Sequence, residues 1–204
     1  AIKNLGFGGG NNLGAKHAEG EYLFFLNPDT LIVDGAIEKL YKFIKFDKKI
    51  GIVSPLLVDT NLNPFVTQSR EELTPLNAIY SFSFLRKLFP NKSIYNDPFF
   101  KTWDKRKPIE VKTIPGAALM IFKKLFEQIN GFDEIFFLYF EENDLSKTIK
   151  NLGLKLYINP KAKVIHEVGQ STKTLKNMED IFNKSRFLYL KKHYGLLNAL
   201  FTES

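Results

Sequence analysis

The sequence lacks cysteine, and it lacks any long apolar run. Without cysteine, disulfide bonds and thiolate metal ligands are excluded, and the cytoplasm is the expected compartment. A membrane-spanning helix needs about 20 consecutive apolar residues, and no segment approaches this length. We therefore expect a globular protein with no membrane-spanning segment.

Basic residues outnumber acidic ones, with 29 Lys and Arg against 22 Asp and Glu, which gives a formal net charge of +7. The lysines are scattered, as in Lys42, Lys45 and Lys48, and this is typical of a solvated surface. Nucleic-acid-binding surfaces interleave aromatic with basic residues, whereas the aromatic residues here lie in apolar runs. We therefore predict no nucleic-acid partner. An anionic membrane surface or a phosphate-bearing ligand stays open.

Apolar runs of strand length alternate with segments of helical periodicity. Strands are predicted over 22–26, 51–58, 116–122, 154–158 and 163–166. Helices are predicted from an N-cap at Asp34, over 142–152 and from residue 177 onwards. This alternation predicts an α/β sheet.

Five glycines and three asparagines occur between positions 4 and 14. They do not match the dinucleotide-binding fingerprint. They also do not match the phosphate-binding loop, because Ala15 stands where that loop requires lysine. So many glycines and asparagines predict a flexible loop that enters a short helix over 12–18, where backbone N–H groups can meet an anion. A tight surface turn is the alternative.

Asp29 follows the predicted strand 22–26, within Asn27-Pro28-Asp29-Thr30. Open α/β sheets bind ligands at the carboxyl ends of strands, and a carboxylate there suits a hard divalent cation that holds phosphates. His166 ends another predicted strand and could complete such a site with a nitrogen ligand. The alternatives are a helix cap for Asp29 and a structural role for His166.

Glu141, Glu142 and Asp144 follow the apolar run 135–140. This run is expected to be strand-like and to deliver a carboxylate to a cleft. Burial and a neighbouring acid would raise the pKa of that carboxylate and make it a better general base. Alternatively, the acidic residues stabilise the first turn of a helix through its dipole. The residues alone do not favour either interpretation.

Taken in order, these segments resemble the signature of family 2 glycosyltransferases, and in particular its bacterial rhamnosyltransferase-like branch. The first two blocks are Asn4-Leu5-Gly6-Phe7-Gly8-Gly9-Gly10-Asn11-Asn12-Leu13-Gly14 and Tyr22-Leu23-Phe24-Phe25-Leu26-Asn27-Pro28-Asp29-Thr30. The later blocks begin at Gly116, Gly131, Phe136 and Glu141, and His166 follows them. The resemblance covers about residues 4–172, and several ordered blocks are more specific than any one of them.

The resemblance implies a Rossmann-like GT-A fold with a mixed central sheet flanked by helices. It also implies inverting transfer of a sugar from a UDP- or dTDP-sugar donor, with dTDP-rhamnose as one candidate. It assigns Asp29 and His166 to a divalent metal, Mn²⁺ or Mg²⁺, and it assigns Glu142, next to Glu141, to the general base. Donor and acceptor binding falls to Asn4, Gly6, Gly8, Asn12, Gly116, Ala117 and Asp144.

The sequence departs from the family pattern in three ways. The usual opening strand, with its base-binding Asp and D-x-S-x-D turn, is absent, so we expect an N-terminally truncated fold. Glu142 replaces the usual Asp base, and Thr148 replaces an Arg that is common in the family. The missing strand favours the alternative of a non-catalytic or incomplete fragment, which keeps the fold without donor binding.

We therefore expect a GT-A domain over 1–172 and a C-terminal helical tail over 173–204. The expected acceptor is a cell-surface polysaccharide or lipid-linked glycan at the cytoplasmic face of the membrane. A peripheral contact with an anionic membrane surface would use basic residues of the tail, namely Lys184, Arg186, Lys191 and Lys192. The proline-interrupted segment 70–108 is expected to determine acceptor choice.

Overall fold

The computed structural model describes residues 3–65, 68–94, 100, 102–167 and 177–202. Its strands are β1 (Tyr22–Leu26), β2 (Thr30–Ile32), β3 (Ile50–Val58), β4 (Ile109–Glu110), β5 (Ala118–Phe122) and β6 (Lys155–His166). They form one sheet in the order β1-β5-β3-β6-β2, and β4 pairs with β6. β3 and β6 are parallel, whereas the other pairs are antiparallel. The predicted mixed α/β sheet is confirmed.

Helices cover both faces of this sheet. They are α1 (Gly6–His17), α2 (Ala36–Phe46), α3 (Pro75–Phe82), α4 (Leu85–Leu88), α5 (Lys123–Gln128), α6 (Glu141–Asn151), α7 (Met178–Tyr194) and α8 (Leu196–Phe201), with a 3-10 turn at Pro90–Lys92. Successive residues of β3 point to opposite faces, so Val53 packs with Leu40 of α2 and Ile52 with Ile149 of α6. Within the described ranges, no helix is both long enough and apolar enough to cross a bilayer.

The two short strands predicted over 154–158 and 163–166 are a single strand, β6. β3 pairs with both halves of it, since Pro55 faces Asn159 and the next residue, Leu56, faces Lys163. The register shifts between these pairs, next to Pro160, which has no N–H to donate to the ladder. Every residue of β3 is buried, as expected for a strand covered by helices on both faces.

The glycine-rich segment 4–14 is not the flexible loop that the sequence predicted, because α1 begins at Gly6. A Cβ at Gly8 would lie 3.1 Å from the Cβ of Phe132, and one at Gly9 would lie 3.0 Å from the Cβ of Leu5. Glycine therefore serves here to pack a helix closely against its neighbours. The same lack of side chains that signals a loop also permits this contact.

Residues 177–202, which fall within the predicted helical tail, form α7 and α8. Their buried side chains Tyr189, Leu190 and Ala199 pack in one apolar cluster with Phe136 and Phe140. These helices are therefore part of the protein core. The predicted domain boundary near 172 lies outside the described residues and stays a prediction.

Alanine substitutions at Gly6 and Gly10 test the close packing at the start of α1. Gly6 has a φ of +74°, and a Cβ there would lie 2.2 Å from the carbonyl oxygen of Phe137. We expect Gly6→Ala to lower the free energy of unfolding by about 2 kcal/mol or more, because left-handed strain and steric overlap add.

Gly10→Ala is the matched control, because a Cβ there meets no described atom within 4 Å. Alanine should stabilise the helix at this position by up to about 1 kcal/mol. Urea unfolding measures both variants. A Gly6→Ala protein as stable as the wild type would contradict the close approach.

Candidate active site

A cleft of about 870 Å³ opens at the edge of the sheet where β1 ends. It brings together residues that are far apart in the sequence. Among the residues lining it are Asn4, Gly6, Asp29, Arg70, Gly116, Ala117, Glu141, Glu142 and His166. All but Arg70 belong to the site predicted from the sequence.

Pairing between β2 and β6 places Asp29 beside His166. Thr30, the first residue of β2, faces His166 in the ladder, and the N–H of Glu167 donates to the carbonyl oxygen of Asp29 at 2.9 Å. The His166 Nε2 and Asp29 Oδ1 atoms are 3.4 Å apart, and both side chains are largely buried. The antiparallel pairing of the short strand β2 with the end of β6 thus positions two potential metal ligands.

One carboxylate oxygen and one imidazole nitrogen form a donor set that suits a divalent cation such as Mn²⁺. Within the described ranges, no group of three or more His, Cys, Asp or Glu side chains could hold a metal ion. Asp29 and His166 would therefore supply two ligands, and phosphate oxygens and water the others. The chemistry of these two side chains therefore fits a divalent cation.

A left-handed turn precedes the two acidic residues at the start of α6. Tyr139 and Phe140 both have a φ of 69°, and Phe140 is the N-cap of α6. Bulky residues seldom adopt this conformation. The run 135–140 is therefore a sequence of turns, and the expectation of a strand-like segment was wrong.

Burial dominates the electrostatics of this acidic pair. Glu141 is 4% exposed, and its burial, with repulsion from Glu142, raises the pKa of its carboxyl to about 9. Burial also raises the pKa of Glu142, while the positive charge of Arg70 opposes that rise. The Asn143 amide donates to Glu142 Oε1 at 3.1 Å. Near neutral pH, Glu141 therefore holds a proton, and Arg70 favours the ionised form of Glu142.

Gly116 lies directly opposite Glu142. A Cβ at position 116 would lie 3.6 Å from the Cβ of Glu142 and 3.8 Å from the ring of Phe7. A side chain larger than methyl at this position would therefore extend into the space beside the Glu142 carboxyl. The glycine keeps this part of the cleft open.

Three predicted binding residues are absent from the cleft lining, namely Gly8, Asn12 and Asp144. The Asn12 amide donates to the carbonyl of Phe132 at 2.8 Å, and its oxygen accepts from the Phe132 N–H at 2.9 Å. Gly8 packs on Phe132, and Asp144 is bonded to Lys192 and His193. Their roles as ligand contacts stay predictions, while the structure gives each of them a packing or pairing role.

Sequence reasoning missed Arg70, whose backbone is held firmly at the cleft. The N–H of Arg70 donates to the Thr113 hydroxyl at 3.0 Å, and that hydroxyl donates to the Arg70 carbonyl at 2.9 Å. Nearby, Gln68 makes two hydrogen bonds to the backbone of Leu57 in β3. A single arginine outside any motif gave no signal that could have identified it.

Comparison with known proteins tests the family predicted from the sequence. The family model described as Glycosyl transferase family 2 matches residues 2–129, which is more than half of the chain. The chain belongs to glycosyltransferase family 2. The predicted family membership is thus confirmed, while Glu141, Glu142 and His166 lie beyond the matched range.

Curated relatives include two rhamnosyltransferases. Rhamnosyltransferase WbbL of Escherichia coli (strain K12) is 23% identical, over 96% of this chain and 74% of that protein. N-acetylglucosaminyl-diphospho-decaprenol L-rhamnosyltransferase of Mycobacterium tuberculosis (strain ATCC 25618 / H37Rv) is 26% identical, over 74% of this chain and 48% of that protein. This family 2 glycosyltransferase is therefore rhamnosyltransferase-like, and it spans about half of the second relative.

Two further proteins extend the comparison. Low-salt glycan biosynthesis hexosyltransferase Agl10 of Haloferax volcanii is 29% identical, over 68% of this chain and 41% of that protein. The crystal structure of GalNAc-T7 with UDP, GalNAc and Mn²⁺ aligns with a TM-score of 0.52 and 18% identity, over 76% of this chain and 29% of that chain. The structural likeness concerns the fold alone, and it confirms the predicted GT-A class.

A pH series tests the buried state of Glu141. Its pKa of about 9 lies above the ordinary value of 4.5, so the folded protein holds a proton that the unfolded chain releases. The stability that this protonated carboxyl contributes is complete below about pH 4.5 and is lost as the pH rises towards 9. Glu141→Gln cannot ionise, and its advantage in melting temperature should grow between about pH 5 and 9.

This advantage should grow by at most about 1.4 kcal/mol for each pH unit, or roughly 3–6 °C in melting temperature for a chain of this size. Glu38→Gln is the control, because Glu38 is exposed on α2 and pairs with Lys42. The difference in melting temperature between Glu38→Gln and the wild type should not change over this pH range. A constant difference for Glu141→Gln as well would contradict a buried, protonated carboxyl.

Proposed function

We propose that this cleft binds a nucleotide-activated sugar and a divalent metal, and that it transfers the sugar with inversion to an acceptor hydroxyl. The observation that carries the proposal is the meeting of Asp29, His166 and Glu142 in one cleft. A UDP- or dTDP-sugar is the proposed donor. The similarity to rhamnosyltransferases favours dTDP-rhamnose among these donors.

Asp29 and His166 would hold Mn²⁺ or Mg²⁺ against the donor diphosphate. When bound, the metal supplies positive charge where negative charge grows on the leaving nucleoside diphosphate. The structural neighbour named for UDP and Mn²⁺ supports a divalent metal in this fold. At this site the chain itself contributes two ligands and leaves room for phosphate oxygens.

Glu142 is the proposed general base. The acceptor oxygen forms a bond to the anomeric carbon while the bond from that carbon to the diphosphate breaks, and the hydroxyl proton passes to the Glu142 carboxylate. Burial raises the pKa of this carboxylate, which makes it a stronger base. Because Glu141 stays protonated, it adds no second negative charge beside the reacting groups.

Glu142→Gln provides the direct test of this role. The amide keeps the size of the side chain but cannot accept the proton, so we expect turnover to fall by a factor of about 10² to 10⁴. Release of UDP or dTDP is measured with a panel of nucleotide sugars and lipid-linked glycan acceptors. Binding of the free nucleoside diphosphate should persist.

Glu38→Gln, on the exposed face of α2, controls for the loss of one negative charge and should leave turnover unchanged. Retained turnover in Glu142→Gln would reject Glu142 as the base. If the wild-type protein neither binds a nucleoside diphosphate nor releases one from a sugar donor, the incomplete-fragment alternative is favoured instead.

We further propose that a glycan or lipid-linked acceptor is used at the inner face of a membrane, but through a different surface from the one expected. Arg186 is 8% exposed and stacks over the ring of Phe82, while Lys192 is bonded to Asp133 and Asp144. Arg186 is therefore not placed to face a membrane, whereas Lys192 is paired but exposed. Lys184 and Lys191 remain exposed.

Helix α8, which directly follows α7, offers an apolar face. Its exposed side chains are Leu196, Leu197, Leu200 and Phe201, and its buried one is Ala199. A rotation of about 100° per residue places the four exposed side chains on one side of the helix, opposite Ala199. No acidic residue occurs between Asp180 and Glu203. This combination of apolar and basic residues suits an anionic phospholipid surface.

Vesicle co-sedimentation tests this surface. The double variant Leu197→Gln/Phe201→Gln should bind vesicles containing phosphatidylglycerol at least about tenfold more weakly, since each buried apolar side chain contributes about 1.5–3 kcal/mol. Phe46→Gln is the control, because Phe46 is 87% exposed on α2, and it should bind like the wild type. Equal binding by all three proteins would contradict the proposal. A dimer that only the double variant loses would assign the face to a second copy of the chain.

A further inference from the structure

We propose that α7 is a positioning element for the catalytic carboxyls, and that it holds the turn before Glu141 and the first turn of α6 in the conformation that aims both acids into the cleft. This inference rests on the proposed role of Glu142 as the base. Of the α7 residues that carry it, Phe182 lines the cleft, whereas Ser185, Lys192 and His193 do not. They act through the backbone and side chains that they contact.

The turn that α7 holds is strained. Tyr139 and Phe140 are consecutive aromatic residues with a φ of 69° each. Such a conformation costs of order 1 kcal/mol or more for each residue, and it persists only where the surrounding structure imposes it. Because Glu141 and Glu142 follow at once, relaxation of either residue would turn both carboxyls away from their present directions.

Aromatic contacts from α7 cover this turn. The ring centroid of Phe182 lies 5.5 Å from that of Tyr139 and 5.2 Å from that of Phe140. Seven residues further along α7, the ring centroid of Tyr189 lies 5.8 Å from that of Phe140. These contacts bury the two rings in the position that the left-handed backbone requires.

A buried hydrogen bond fixes the backbone itself. The Ser185 hydroxyl donates to the carbonyl oxygen of Leu138 at 2.7 Å, and Ser185 is almost fully buried. If this donor is lost, the Leu138 carbonyl loses its partner, which favours a different orientation of the peptide. The bond therefore acts on the residue immediately before the strained pair.

The end of α7 anchors the other side of the acidic pair. The Lys192 ammonium lies 2.7 Å from Asp133 Oδ2 and 2.7 Å from Asp144 Oδ1, and His193 Nε2 lies 2.7 Å from the same Asp144 oxygen. Tyr194 accepts a hydrogen bond from Lys147 of α6 at 3.0 Å. Residues on both sides of Glu141 and Glu142 are thus tied to one helix.

The test compares Ser185→Ala with Ser81→Ala. Ser81 is also a buried serine, and its hydroxyl makes two backbone hydrogen bonds, to Asn77 and from Ile94. It lies in α3 and serves as a control for the loss of stability. Lys192→Met, which removes the second anchor, is a further variant that keeps the test available if Ser185→Ala does not fold.

Two quantities are measured on the full chain. The first is turnover of the nucleotide sugar that proves active, where Ser185→Ala and Lys192→Met should lower kcat about tenfold with little change in KM, since small displacements of a catalytic group carry large costs. The second is the titration of the Glu141 carboxyl, followed by ¹³C NMR in glutamate-labelled protein and assigned with Glu141→Gln. Its midpoint should fall by about one pH unit or more as water reaches the displaced group.

Ser81→Ala should show neither change, even where its melting temperature falls as far as that of Ser185→Ala. If the wild-type protein turns over no nucleotide sugar, the proposed function fails, and the carboxyl titration alone decides the role of α7. An unchanged Glu141 midpoint in both α7 variants would overturn the inference, whatever happens to turnover.

Discussion

The constraint on which the site depends is the burial of two adjacent carboxyl groups at the start of one helix. Two ionised carboxylates with little access to water repel each other strongly, so the pair is tolerated with one proton retained. The positive charge of Arg70 acts on Glu142, whereas Glu141 Oε2 has no hydrogen-bond partner among the described residues. This asymmetry favours the negative charge on Glu142, the residue that we propose as the general base.

The sheet positions the remaining parts of the cleft around that pair. β1 ends just before Asp29, and β6 ends at His166, which the pairing of β2 with β6 brings to the same edge. Gly116 precedes β5 and faces Glu142. The ends of the strands therefore position the proposed metal ligands, and the start of α6 positions the proposed base.

Much of the sheet and of the cleft lining could be predicted from the sequence, because some signals are local. Asp29 and His166 each follow an apolar run, and the ends of such strands meet at one edge of the sheet. The loop predicted from the glycines of α1 was wrong, because a missing side chain is compatible with a loop and with close helix packing equally well. The aromatic run 135–140 resembled a strand, although left-handed residues at Tyr139 and Phe140 break it. Tertiary contacts, including those with α7, surround that turn, and the Arg70 backbone likewise contacts a distant partner, Thr113.

In the proposed function, Asp29 and His166 hold a metal together with the diphosphate of a nucleotide. Isothermal titration calorimetry with UDP and dTDP, with and without Mn²⁺, tests it on the wild type, on Asp29→Asn and on Asp34→Asn. Asp34 is an exposed acid nearby in sequence, and its variant should behave like the wild type. The account predicts binding that requires Mn²⁺ and that Asp29→Asn weakens at least about tenfold, as expected when a metal ligand is lost. Binding by Asp29→Asn as tight as that of the wild type in the presence of Mn²⁺ would contradict it.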